Sequence, residues 1–149
     1  MRRQILTAGL VVGLALPAFA AAADVTVRVL PPEAQKGFET QHISKAALAG
    51  QEIRLWFAQM LDPDCGAAGA MQTEVTEPPK HGQTRISEEP FFGNFPQNNV
   101  RFACNAKKIP GKQLFYVAEA GYHGHDKVVF QNSTSDGRIR KWVVDVEVR

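Results

Sequence analysis

The chain is poor in what most chemistry at a protein site requires. Its 149 residues hold only two cysteines and four histidines, and aromatic residues make up 9%. No Gly-x-Ser-x-Gly elbow and no His-Glu-x-x-His pair occurs, so neither a serine hydrolase nor a zinc peptidase signature is present. Glu88 and Glu89 are adjacent and on a strand would face opposite ways, which argues against paired carboxylates. The chain has no internal repeat and no low-complexity linker. It also lacks an apolar run of the roughly 20 residues that a bilayer-spanning helix needs.

The longest apolar stretch, Ile5 to Leu16, lies at the amino end. Arg2 and Arg3 precede it, Pro17 ends it, and the small residues of Ala18-Phe19-Ala20 and Ala21-Ala22-Ala23 follow. Charge, apolar core and small-x-small is the order a signal peptidase reads. Residues 1–23 are therefore expected to be a cleaved signal peptide, with an N-terminal anchor or a core helix as the alternative. Residues 24–149 are expected to be one periplasmic or secreted domain, large enough for a single core.

Charge of one sign is missing too. Lys and Arg number 17 against 15 Asp and Glu. Loss of Arg2 and Arg3 with no acid leaves the signs equal. A phosphate backbone requires clustered positive charge, so a nucleic acid partner is not expected, nor is an anionic membrane surface. Outside the reducing cytosol, Cys65 and Cys104 most simply form one bridge; free buried thiols or a metal pair are the alternatives. In the chain-entropy model such a loop is worth roughly 4 kcal/mol.

What is present is a series of short strand patterns. Val25, Val27 and Val29 alternate with polar residues until Pro31-Pro32. Ser44 to Ala49 reads as one helical turn capped by Ser44 and stopped by Gly50. Glu52 to Met60 fits helix or strand spacing, and its β-branched and aromatic content favours a strand with Ile53, Leu55 and Phe57 on one face. Asp62 to Gly66 is a turn. Thr73 to Glu77 and Gln83 to Ser87 are expected to pair across Pro78-Pro79, and Phe91 to Asn99 to be irregular. Strands are expected at Val100 to Ala103, Leu114 to Ala118 and Lys127 to Gln131. The last strand places Trp142, Val144, Val146 and Val148 on one face, with a bulge near Arg140 or Lys141 because Ile139 has the opposite parity. Strands at this spacing without long helical patterns indicate a sandwich or barrel.

The carboxyl half adds Pro78-Pro79-Lys80-His81-Gly82, Ile86, Tyr116, Gly121-Tyr122-His123-Gly124-His125-Asp126, Asp136-Gly137 and a Val-x-Val-x-Val ending. Over Thr76 to Arg149 this order resembles the bacterial immunoglobulin-like and cadherin-like repeats of secreted and surface proteins. The resemblance implies an all-β, immunoglobulin-like antiparallel β-sandwich; the expected Cys65–Cys104 bridge departs from the family, whose repeats typically lack one. Pro79, His81, Gly82, Tyr116, Gly121, Tyr122, Gly124 and Asp126 would be its structural motif. The glycines would serve turns with positive φ, Tyr122 would bond backbone with its hydroxyl, and Asp126 would accept backbone N–H groups. It implies no reaction.

The remaining candidates are few. His123 and His125, two apart, point the same way on an extended segment and would reach one Cu or Zn ion, with His81 or His42 as a third ligand; as loop residues they are equally polar surface. Asp62-x-Asp64 lacks the oxygen ligands that calcium wants. Phe91, Phe92 and Phe95 form either an exposed partner-binding patch or a plug for the open end of the core. Arg138, Arg140, Lys141 and Arg149 read as a solvated strand margin that resists edge pairing. The expected function is non-enzymatic: an exported module without cofactor, binding a protein or glycan partner in the cell envelope. The alternative is a periplasmic Cu/Zn-binding protein using His123 and His125.

Overall fold

The computed structural model describes residues 39–149. The leader, the Val25–Val29 pattern and Pro31-Pro32 lie outside the described residues. Nine strands follow in order: β1 Glu39–Ala47, β2 Glu52–Ala58, β3 Met71–Glu77, β4 Gly82–Ser87, β5 Pro90–Phe92, β6 Lys108–Pro110, β7 Lys112–Ala118, β8 Gly124–Thr134 and β9 Ile139–Val148. They form a four-stranded sheet β1-β9-β8-β3, a three-stranded sheet β2-β7-β4 and a two-stranded ribbon β5-β6.

The two larger sheets close over each other as the alternating apolar positions require. Leu55, Trp56, Leu114, Tyr116 and Ala118 from one meet Ala47, Val128, Phe130, Val144, Val146 and Val148 from the other. The all-β sandwich and its single Cys65–Cys104 bridge are both present, the bridge joining Cα atoms 5.4 Å apart. Trp56 packs on Phe130 at 5.3 Å and on Trp142 at 6.0 Å between centroids.

Several local expectations are overturned. The sandwich is not antiparallel throughout, because β1 runs parallel to β9. Ser44 caps no helical turn and lies inside β1: a six-residue helix cannot repay its nucleation, whereas the ladder with β9 satisfies the same backbone groups. β3 and β4 do not pair with each other. Two prolines in their connection provide no donors for a hairpin turn, and the chain crosses from β3, paired with β8, to β4, paired with β7. Val100 to Ala103 is no strand. Asn99 organises a tight turn there, its backbone carbonyl accepting from Phe102 N at 2.9 Å and its side chain from Arg101 N at 2.9 Å, and a 3-10 helix Phe102–Ala106 follows.

The bulge expected near Arg140 is absent as well: the β8–β9 register is continuous from Gly124↔Val148 to Ser133↔Ile139. Ile139 lies beside the hairpin turn, half-buried, so its parity forces nothing. A bulge does occur in β2, between Arg54 and Trp56. It turns Leu55 and Trp56 both inward, and Phe57 consequently faces the outside of its sheet instead of sharing a face with Ile53 and Leu55. Finally, β9 lies between β1 and β8, so Arg140 and Lys141 do not sit on an edge.

Candidate functional site

β7 runs the length of the sandwich, from Lys112 at one end to Ala118 at the other, and the two ends differ in chemistry. At the Ala118 end lies most of the motif. Asp126 is buried and accepts hydrogen bonds from Lys80 N at 2.9 Å, His81 N at 3.0 Å, Lys127 N at 2.9 Å and the Tyr116 hydroxyl at 3.1 Å. Burial opposes its ionisation, but the three backbone donors and Tyr116 outweigh that and hold its pKa below the usual carboxylate value. Burial first, then the bond to Asp126, drives the Tyr116 phenol well above its ordinary pKa.

The Tyr122 hydroxyl donates to the His125 carbonyl at 2.9 Å, and its ring stacks on His81 with centroids 4.1 Å apart. Pro79 is half-buried in the turn before His81. Gly121 and Gly124 do adopt positive φ, 79° and 142°. Gly82 does not. Its reason is steric, since a Cβ there would lie 2.5 Å from the Val117 carbonyl oxygen and 2.6 Å from Tyr116 Cε2.

At this end the polar atoms of Asp126 and the hydroxyls of Tyr116 and Tyr122 are bonded internally. His123 and His125 are exposed beside it, and among the described residues no group of three or more His, Cys, Asp or Glu side chains is placed to hold a metal ion. Neither His81, in its stack, nor His42, on β1, joins them. A groove of about 390 Å³ is lined by Trp56, Phe57, Met71, Asn132, Arg138 and Trp142 among others, and several of its polar side chains are paired. The Trp142 indole N–H donates to Asn132, Arg138 pairs with Asp136, and Arg140 pairs with Glu39.

The lobe at the Lys112 end is different. The β5–β6 ribbon lies across the outside of the three-stranded sheet, on the Phe57 that the β2 bulge has turned outward. Phe91 meets Phe57 edge to face at 5.5 Å, and Arg54 reaches over both rings. Gln59 pins the ribbon by donating to the Phe91 and Ile109 carbonyls at 3.0 and 2.6 Å. Beneath it, buried Gln113 donates to the Glu89 carbonyl at 3.2 Å and accepts from Arg54 at 3.0 Å.

The loop between β5 and β6 is held as firmly. Asn105 clamps Phe95 by accepting from its N–H at 2.9 Å and donating to its carbonyl at 2.8 Å. Arg101 donates to the Leu61 carbonyl, and Cys104, wholly buried, joins Cys65 in the 62–66 turn.

The three candidate phenylalanines therefore divide. Phe91 is a plug, although for the outside of a sheet and not for the open end of the core. Phe95 is half-buried in its clamp. Phe92 is 54% exposed, and two residues not singled out in the sequence join it: Val100 at 70% and Phe102 at 44%. On the ribbon Phe92 stands opposite Lys108, whose ammonium lies 5.5 Å from the ring centroid. Rigidly mounted apolar side chains left in water mark an interaction surface. A compositional signal was available: from Pro90 to Ala118 the chain has four basic residues, Arg101, Lys107, Lys108 and Lys112, and no acidic one.

No family model and no curated protein sequence matches the chain. Among solved structures, the solution structure of Amebosin overlaps at TM-score 0.39 with 11% identity, over 75% of this chain and 98% of that one. The crystal structure of a 2,6-sialyltransferase from Vibrionaceae Photobacterium sp. JT-ISH-224, in complex with CMP and lactose, overlaps at TM-score 0.36 with 9% identity, over 76% of this chain and 18% of that one. Overlaps this loose carry no argument about activity.

Proposed function

We propose that the chain is an exported, single-domain module of the bacterial immunoglobulin-like or cadherin-like type, which acts in the periplasm or outside the cell by binding a protein or glycan partner and not by catalysis. Export is supported by the charge, apolar and small-residue order of residues 1–23 and by the bridge between Cys65 and Cys104, which persists in oxidising compartments. The immunoglobulin-like part is supported by strand order. With the ribbon set aside, β7 lies between β2 and β4, and β8 lies between β3 and β9, the B-E-D and C-F-G arrangements of that sandwich, with the first strand moved to the second sheet.

The observation that carries the binding reading is the lobe: Phe92, Val100 and Phe102 stand exposed on a segment tied down by the disulfide, Gln59 and Asn105. Pre-ordered apolar groups avoid the entropy cost of immobilisation on binding. Chemical cross-linking of cells that make the protein, followed by mass spectrometry, tests the reading. A discrete adduct that disappears when Phe92 and Phe102 are both replaced by serine is expected. Recovery of monomer alone, under conditions that cross-link known envelope complexes, contradicts it.

A further inference from the structure

The outer face of the lobe also carries information about what it binds. Pro90 and Pro110 stand opposite each other on the β5–β6 ribbon, and neither has an N–H to offer. A partner strand cannot add to the ribbon at that end, so recognition there falls to side chains. The exposed side chains of the lobe include three large apolar ones, Phe92, Val100 and Phe102, and two cationic ones, Lys107 and Lys108, beside the amides of Asn94, Gln97 and Asn98. Register places Phe92 and Lys108 on one face of the ribbon, with Phe91 and Ile109 on the other, and the 3-10 helix that begins at Phe102 packs beside β5.

Among the described residues, these two cations lack carboxylate partners. Half-buried Lys112 pairs with Glu88, and exposed Arg85 with Glu52, Lys127 with Glu77 and Arg149 with Glu147; among the described residues no carboxylate is within ion-pair distance of Lys107 or Lys108, nor of Lys45, Lys80 or Lys141, which are scattered outside the lobe. The stretch from Pro90 to Ala118 has no acid to provide one.

We propose that this face is a docking surface for an acidic segment of a partner protein, with an aromatic or aliphatic residue laid against Phe92, Val100 and Phe102 and carboxylates on Lys107 and Lys108. The proposal rests on the reading of the chain as a binding module. Charge complementarity selects the sign, because aromatic rings and unpaired cations at close quarters are matched by apolar groups flanked by carboxylates. An anionic lipid surface would offer the same charge, but attraction to an extended surface depends on the field of the whole molecule. The chain without Arg2 and Arg3 has equal numbers of acidic and basic residues, while the stretch from Pro90 to Ala118 has four bases and no acid. A short carboxylate-bearing segment needs no more than that.

The test uses the purified, disulfide-intact protein and three probes. These are a fluorescein-labelled unstructured peptide of glutamates around one phenylalanine and one leucine, the same peptide with lysines for glutamates, and vesicles of phosphatidylglycerol. The acidic peptide is expected to bind, more weakly as salt rises, with no comparable binding of the lysine peptide. Lys107→Glu with Lys108→Glu, and separately Phe102→Ser, should each weaken binding about tenfold while the unfolding midpoint stays in place. His123→Ser, at the far end, should change nothing.

Equal binding of both peptides, binding untouched by the lobe substitutions, or vesicles binding where the acidic peptide does not, each overturns the proposal. If a cellular cross-link survives the double charge reversal and the acidic peptide does not bind, the module reading stands and the acidic docking fails. If no cross-link forms at all, the module reading itself has failed.

Discussion

The two ends of the sandwich put polar and aromatic side chains to opposite uses. At the Asp126 end, a carboxylate, two tyrosines and a histidine face one another, and every strong hydrogen-bonding atom of Asp126 and the Tyr116 hydroxyl is consumed internally. At the ribbon end, Gln59, Arg101 and Asn105 tie the ribbon and its loop through backbone carbonyls, and Phe92, Val100 and Phe102 are left exposed. The first arrangement stabilises a fold. The second fixes a surface and leaves it unsatisfied, which is the condition for binding something else. A conspicuous motif therefore marks the structural end, and an inconspicuous stretch marks the candidate functional one.

The largest effect is expected from the bridge. Cys65→Ser with Cys104→Ser should lower the unfolding free energy by about 4 kcal/mol in the chain-entropy model, measured by urea denaturation. The same variant should lose partner capture, because the loop that presents Phe102 is no longer tied to the 62–66 turn. Retention of full stability would separate the bridge from the fold.

Next comes Asp126. Asp126→Asn should cost about 3 kcal/mol, since an amide in place of the carboxylate leaves buried N–H groups without an acceptor. Because the folded carboxyl has a lowered pKa, its contribution is complete above the unfolded value of about 4 and is lost as pH falls through the folded pKa. The wild-type protein should thus lose stability below that pH more steeply than Asp126→Asn, and parallel pH profiles would contradict the assignment.

A smaller loss, about 2 kcal/mol, is expected for Gly82→Ala, where the new methyl group meets the Val117 carbonyl and the Tyr116 ring. Gly121→Ala meets no atom within 4 Å and should cost less, about 1 kcal/mol from its positive φ alone. Equal losses at the two positions would show that Gly82 is kept for conformation after all.

The smallest effect on stability, no more than about 1 kcal/mol, is expected for Phe102→Ser, an exposed side chain. That variant should nonetheless weaken partner capture about tenfold, whereas Asp126→Asn should cost stability.

How much of this was legible in the sequence follows from the range of the forces involved. Trp142 to Val148 and Leu114 to Ala118 were readable because period-two burial against an opposing sheet leaves an alternating pattern in the chain itself. The cysteine bridge was readable because two cysteines offer one pairing. β1 was not readable around Ser44: its strand state comes from a neighbour about a hundred residues away, and local propensity said otherwise. Phe57 was misplaced because a bulge shifts parity without any residue to announce it. The ribbon escaped notice because three-residue strands bounded by Pro90 and Pro110 lie below the length at which a pattern can form. Exposure at Val100 and Phe102 is a tertiary fact. The absence of acid between Pro90 and Ala118 was available throughout, and it needed the lobe's geometry to give it meaning.

The most direct test compares the two ends in one experiment. A photoreactive benzoylphenylalanine is introduced in place of Phe102 in one strain and of exposed His123 in another, and irradiated cells are examined for adducts of the protein. Phe102→benzoylphenylalanine should yield a discrete higher-mass species and His123→benzoylphenylalanine none. An adduct from position 123 with none from position 102 would contradict the division of labour between the two ends.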